Sequence, residues 1–260
     1  MASVENSLAD GIRTITFNRP EVHNAFDDEM QDRILEALRE ARDCKQTRVV
    51  VLRGEGRSFC AGRDVRAMGE RPPGVTHFQF MTEGQQSIHT LLDITKPVIA
   101  AVRGAALGGG CELALACDIR FAAPSAKFAL PEIDFGLCVD QGGSALASSL
   151  IGPSRTKWML LTGDRVTADM ALAWGMVDFL VSEEELDGKV MELARKIAGK
   201  PWTAVLAAKG LVNELWEDAM HQAARRELTQ QLALYGSEEF AQLREERRAQ
   251  RAAKAAATSA

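Results

Sequence analysis

Two short runs, Arg48-Val49-Val50-Val51-Leu52-Arg53 and Pro97-Val98-Ile99-Ala100-Ala101-Val102, set the strongest limit on what this chain can fold into. Each is apolar at consecutive positions, rich in β-branched residues and shorter than a typical helix, which marks a strand buried on both faces. Strands of that kind belong to sheets covered on both sides by other layers. A helical pattern precedes each run. Residues 27–41 place Met30, Ile34, Leu35 and Leu38 on one stripe, and residues 78–93 read as a second helix. Upstream, residues 11–18 alternate in the strand manner and stop at Asn18-Arg19-Pro20. Residues 55–69 form a loop punctuated by glycine. The order strand, helix, strand, loop, helix, strand predicts an α/β core with largely buried sheets.

Past Gly108-Gly109-Gly110 the pattern predicts an apolar helix over 111–116, a strand over 118–122, a short extended piece over 127–130 and a small helix over 142–150. A helix over 168–174 follows, with Thr167 placed as its N-cap, then a last strand over 177–181. Beyond residue 183 the pattern is helical only, over 184–198, 201–217 and 221–235. A soft boundary falls near Lys200-Pro201. The Ala-rich residues 249–260 are expected to fray.

Composition removes several classes. Of 260 residues 46% are hydrophobic, enough for a large core. The net charge of −5 argues against nucleic acid or an anionic membrane as the main partner. No apolar run approaches the roughly 20 residues of a membrane span, and the N-terminal stretch lacks a signal-peptide pattern. The five cysteines show no paired spacing and the four histidines no metal-ligand spacing. Reduced thiols, no metal and a cytoplasmic location are therefore expected.

The chemistry-bearing residues cluster around the glycines. Gly108-Gly109-Gly110 lie between a strand and a helix, where glycine permits close backbone approach and the helix start offers free N–H groups. The loop Ser58-Phe59-Cys60-Ala61-Gly62-Arg63-Asp64 follows a buried strand and is able to aim another N–H at the same point. Two such donors would polarise a carbonyl and hold the enolate formed beside it; one is worth about 3 kcal/mol of barrier. Glu112 in Gly110-Cys111-Glu112-Leu113-Ala114-Leu115 and Glu132 in Leu130-Pro131-Glu132-Ile133 are carboxylates in apolar surroundings. Such groups are costly unless paired with an Arg or used in catalysis. Two of them can be held in different protonation states, one as acid and one as base. Asp140, in Cys138-Val139-Asp140-Gln141-Gly142-Gly143, suits either a helix N-cap or a catalytic role.

These segments resemble the enoyl-CoA hydratase/isomerase, or crotonase, family. The resemblance rests on Ile15-Thr16-Phe17-Asn18-Arg19-Pro20, Asn24-Ala25-Phe26, Phe59-Cys60-Ala61-Gly62-Arg63-Asp64 and Lys96-Pro97-Val98-Ile99-Ala100, and on residues 104–118, 128–136, 161–163 and 171–177, in family order. It implies a spiral of ββα units over residues 1–200 carrying an acyl-CoA site. A C-terminal helical domain over 201–260, with a flexible Ala-rich tail, would build homotrimers or hexamers. It further implies a thioester substrate whose CoA, part of the substrate and not a separate cofactor, lies near Val22, Ala61, Arg63, Asp64, Val65 and Arg66. By the same resemblance the N–H groups of Arg63 and Gly109 form the oxyanion hole. Glu112 activates water and Glu132 protonates the α-carbon of a 2-enoyl-CoA.

One departure is informative. Where hydratases of the family carry Pro-Gly-x-Gly-Gly, this chain reads Val139-Asp140-Gln141-Gly142-Gly143. An Asp at that place resembles the dienoyl-CoA isomerases, in which the Glu132-type and Asp140-type residues shuttle a proton, and the ring-epoxide isomerases. Hydration is the first expectation and double-bond isomerisation the second. A reading of another class, a non-catalytic acyl-CoA- or RNA-binding relative, has only Arg244, Arg247, Arg248 and Arg251 in its favour, a cluster expected to be solvated or subunit-facing.

Overall fold

The computed structural model describes residues 2–66 and 70–258; residues 67–69 of the expected 55–69 loop and residues 259–260 of the expected frayed tail lie outside the described residues. The chain opens with β1 (Val4–Ala9) and β2 (Ile12–Phe17), an antiparallel hairpin turned by Asp10 and Gly11, both at positive φ. Then come α1 (Asp28–Asp43), β3 (Val49–Gly54), α2 (His77–Gly84), α3 (Gln86–Leu92), β4 (Val98–Val102), β5 (Ala105–Leu107), α4 (Gly109–Leu115), β6 (Ile119–Ala122) and β7 (Lys127–Ala129). A 3-10 turn (Pro131–Phe135) leads through residues 136–142 to α5 (Gly143–Thr162). The remainder is β8 (Val166–Thr167), α6 (Ala168–Trp174), β9 (Phe179–Leu180), α7 (Leu186–Ala198), α8 (Trp202–Asn213), α9 (Glu217–Tyr235) and α10 (Glu238–Thr258).

The main sheet has the order β1-β2-β3-β4-β6-β9, parallel from β2 onward, and a second sheet has the order β5-β7-β8. The two apolar runs are its centre, and alternation explains why they are apolar throughout. Val50, Leu52, Val98, Ala100 and Val102 face the core shared with α1, α3 and α4. Val49, Val51, Ile99 and Ala101 face Val190 and Ala194 of α7 on the other side. Thr167 caps α6, its side chain accepting from Met170 N at 3.3 Å. No described helix is long and apolar enough to cross a membrane.

Four expectations change. β1 has no apolar signature because it is an edge strand with only Val4 buried. The helix over 78–93 is two, divided at Gly84-Gln85. The helix expected to end at residue 150 continues to Thr162 across a break at Gly152 (φ 77°, ψ 163°), where Pro153 starts the second segment with its φ already helical. The tail expected to fray is helical to Thr258, alanine being the strongest helix former. Three arginines of the basic cluster contact this chain. The Arg247 guanidinium lies 4.1 Å from the Phe135 ring centroid, Arg248 pairs with Glu70 at 2.7 Å, and Arg251 donates to Val65 O at 2.8 Å.

Candidate active site

Two loops meet beside α4. Cys60 N donates to Ala105 O (2.9 Å) and Leu107 N donates to Cys60 O (3.0 Å), so the 58–64 segment lies along β5. Contact is close because Gly110 has no side chain: a Cβ there would stand 2.2 Å from Cys60 O. On the other edge, Phe26 N donates to Gly62 O and Asp64 N to Phe26 O, each at 2.9 Å. With both neighbours of Arg63 bonded to Phe26, the Arg63 N–H points the opposite way. A Cβ on Gly62 would lie 3.2 Å from Gly109 N, which brings the two loops together. Neither the Arg63 nor the Gly109 N–H has an acceptor among the described residues.

Glu112, in the first turn of α4, is fully buried. Its Oε1 accepts from Gln141 N and Gly143 N, each at 3.0 Å, at the start of α5. Its Oε2 is buried and unpartnered, as is Oε2 of Glu132. Glu132 projects from the 3-10 turn so that its Oε1 presses on Gly108, where a Cβ would be 3.0 Å away. Neither carboxylate forms an ion pair among the described residues; the ion-pair alternative raised by the sequence is absent.

Asp140 lines a cavity of about 440 Å³ together with Glu132, Arg63, Gly109 and the apolar side chains Phe26, Phe80, Met81 and Leu137; Glu112 lies behind its wall, not on it. Its carboxylate accepts no hydrogen bond from the α5 amides. Those are taken by Glu112 and by Glu227 of α9, whose Oε2 accepts from Gly142 N (2.6 Å) and Oε1 from Ser144 N (2.9 Å). Of the positions expected near CoA, Ala61, Arg63 and Val65 line the cavity and Val22, Asp64 and Arg66 do not. Asp64 turns inward and pairs with Arg66, whose guanidinium and backbone N–H hold its carboxyl below the usual range. The Arg63 guanidinium pairs with Asp28 (2.6 Å) and stacks 5.0 Å from the Phe80 ring centroid.

Electrostatically the site is a buried cluster of carboxyl groups, opposed at Asp140 by the Arg63 guanidinium. Burial, then Asp140 and Glu227, push Glu132 up to about 8. Burial and Glu227 push Asp140 up to about 7, with Arg63 opposing. Burial, then Glu132, Asp140 and Glu227, raise Glu112 well above the usual range, against the amide of Gln141. The N-terminus of α5 adds to that amide in favouring the charged form of Glu112. Burial and mutual repulsion raise all three carboxyl groups, so they do not all ionise together at neutral pH, which lets one hold a proton while another is charged.

The sequence reading missed Glu227, Gln231 and Tyr235, which α9 brings to the site. Gln231 Oε1 accepts from Cys138 N at 2.9 Å, and Gln231 and Tyr235 line the cavity. A signal existed: Met220, Ala224 and Leu228 form an apolar stripe, and Glu227 and Gln231 lie on it, buried.

The Enoyl-CoA hydratase/isomerase family model matches residues 7–253. A crotonyl-CoA hydratase of Syntrophomonas wolfei is 36% identical over 204 residues, 78% of each chain. A 1,2-epoxyphenylacetyl-CoA isomerase of Escherichia coli is 35% identical over 216 residues, 82% of each chain. The crystal structure of an enoyl-CoA hydratase/isomerase from Xanthobacter autotrophicus superposes with a TM-score of 0.88 at 35% identity, covering 97% of this chain and 96% of that one. The chain belongs to the enoyl-CoA hydratase/isomerase family, and its mixed α/β core with a C-terminal helical region is the crotonase fold.

Proposed function

We propose that this protein adds water reversibly across the 2,3 double bond of a 2-enoyl-CoA. The observation that carries the reading is the pair of unpartnered carboxyl oxygens, Glu112 Oε2 and Glu132 Oε2, with Glu132 close enough to raise Glu112 and sharing a cavity with the Arg63 and Gly109 N–H groups, which have no acceptor among the described residues. The thioester oxygen accepts from Arg63 N–H and Gly109 N–H, which draws electron density from C3. Glu112 takes a proton from water as its oxygen bonds to C3. The double-bond electrons move into the enolate, held by the same N–H groups, and Glu132 delivers its proton to C2. The acyl chain lies against Phe26, Phe80, Met81 and Leu137, and the CoA leaves past Ala61 and Val65.

The test is spectroscopic. Purified protein given crotonyl-CoA is expected to bleach the enone absorbance; no change with this substrate overturns the hydratase assignment. The pH dependence follows from the acid. Since Glu132 keeps its proton up to about 8, kcat/KM is expected to fall as pH rises through that value. A profile flat to about pH 10 is incompatible with Glu132 as proton donor.

A second reading has its own observation. Asp140 faces the same cavity as Glu132, and burial pushes both up, which suits a proton shuttle along a dienoyl-CoA. With a 3,5-dienoyl-CoA this activity appears as gained conjugated-diene absorbance. Asp140→Asn is expected to lower that rate by about 100-fold while changing crotonyl-CoA hydration less than about 5-fold. Equal losses in both assays would give Asp140 a role in hydration instead.

We also assign the apolar face around α8 to copies of this chain. α8 buries none of its own side chains, and Leu211, Val212, Leu215 and Trp216 are 69%, 59%, 74% and 51% exposed. A contiguous apolar surface of this kind marks an interface. Analytical ultracentrifugation is expected to show three or six copies, and a monomer at micromolar concentration refutes the assignment.

A further inference from the structure

We propose that Glu227 is a positioning residue for Glu112, bracing the start of α5 so that the amides of Gln141 and Gly143 hold one oxygen of Glu112 and leave the other free. The proposal rests on the role given to Glu112 above.

Four consecutive amides are shared between two carboxylates from distant elements. Glu112 of α4 takes Gln141 N and Gly143 N on a single oxygen, at 3.0 Å each. Glu227 of α9 takes Gly142 N on Oε2 and Ser144 N on Oε1, at 2.6 and 2.9 Å. The helix has no cap of its own: its N-cap is Gly142, in the left-handed region, with no side chain to offer. Two adjacent glycines would leave this turn loose, since glycine has the widest backbone freedom. Glu227 removes that freedom from the opposite side to Glu112.

The fit is tight, for a Cβ on Gly143 would stand 2.5 Å from Glu112 Oε1. A small shift of the turn therefore moves the carboxylate. α9 is itself clamped to the same segment. Gln231 accepts from Cys138 N (2.9 Å), and the Gln85 side-chain amide donates both to Ala224 O (3.0 Å) and to Asp140 O. α9 thus braces the 138–144 segment, with Glu227, 7% exposed, holding the two amides that alternate with those on Glu112.

The test compares Glu227→Ala, Glu227→Gln and Glu227→Asp in the full-length protein. With crotonyl-CoA, Glu227→Ala is expected to lower kcat by about 30- to 100-fold and change KM less than about 3-fold, the pattern of a displaced catalytic group. Glu227→Asp, which keeps two acceptor oxygens, is expected to recover part of kcat. Glu227→Gln keeps the shape and one acceptor, so it reports if the alanine variant does not fold. Amide hydrogen exchange on the unliganded protein gives a readout independent of turnover. The amides of Gln141 and Gly143, which Glu227 does not touch, are expected to exchange at least about 10-fold faster in Glu227→Ala, along with those of Gly142 and Ser144. Acceleration confined to Gly142 and Ser144, or wild-type kcat in Glu227→Ala, overturns the proposal. If wild-type protein leaves crotonyl-CoA untouched, the hydratase reading fails, and exchange at Gln141 and Gly143 still decides whether Glu227 sets the hold on Glu112.

Discussion

Glu112→Gln is expected to slow hydration of crotonyl-CoA by about 10³-fold at neutral pH, with KM changed less than about 3-fold. The side-chain amide has the shape of the carboxyl group, and its oxygen still accepts from Gln141 N and Gly143 N. Binding and fold are thereby kept, but nothing remains to take a proton from water. Thermal stability is expected to hold or rise, because a buried ionisable group held far from its usual range is replaced by a neutral one. Stopped-flow absorbance and a melting curve on the same preparation check both halves. Undiminished turnover in this variant removes Glu112 from the mechanism, and a large fall in melting temperature means the loss of rate is structural.

Gly110→Ala is expected to do comparable damage without touching any reacting group. The new Cβ would meet Cys60 O at 2.2 Å and Cys60 C at 2.8 Å. Ordinary contact needs about 3.5 Å, so the loop or α4 must retreat by roughly 1 Å. That movement separates the Gly109 N–H from the Arg63 N–H, and misplacement on this scale costs about 100-fold in rate. Overpacking at a site walled by backbone adds a stability loss of about 2–3 kcal/mol, measurable by urea unfolding. Gly188→Ala in α7 is the control: nothing lies within 4 Å of its Cβ, so it is expected to be neutral or stabilising by up to about 1 kcal/mol. If Gly110→Ala matches this control in rate and stability, the two N–H groups do not act on one oxygen.

Much of this was legible in the chain. The runs at 48–53 and 97–102 became β3 and β4 because a strand sandwiched between two layers must be apolar at every position, and this leaves a local mark. Glu112 stood out because a carboxyl group is rarely found in so apolar a segment without a purpose. The glycines at 62 and 108–110 announced close backbone approach, and the Cβ distances show what they approach. By contrast, β1 left no mark, since an edge strand with one buried side chain has little pattern to show.

Asp140 and Glu227 mark the point where local reading stops. Spacing before α5 made Asp140 a natural cap, yet the amides it would have capped are held by Glu112 and Glu227. A helix start can be satisfied by any acceptor that reaches it, and nearness in sequence is only one way of reaching. Glu227 sits 85 positions from the amide it holds. Its own segment shows an amphipathic helix with a Glu on the apolar stripe, but a stripe does not say what it will face. Residue types and periodicity determined the strands, the glycine turns and the buried carboxyl groups. Only the packing of α9 against α5 decided which carboxyl groups hold the start of α5, because their protonation and aim depend on neighbours that the chain supplies from far away.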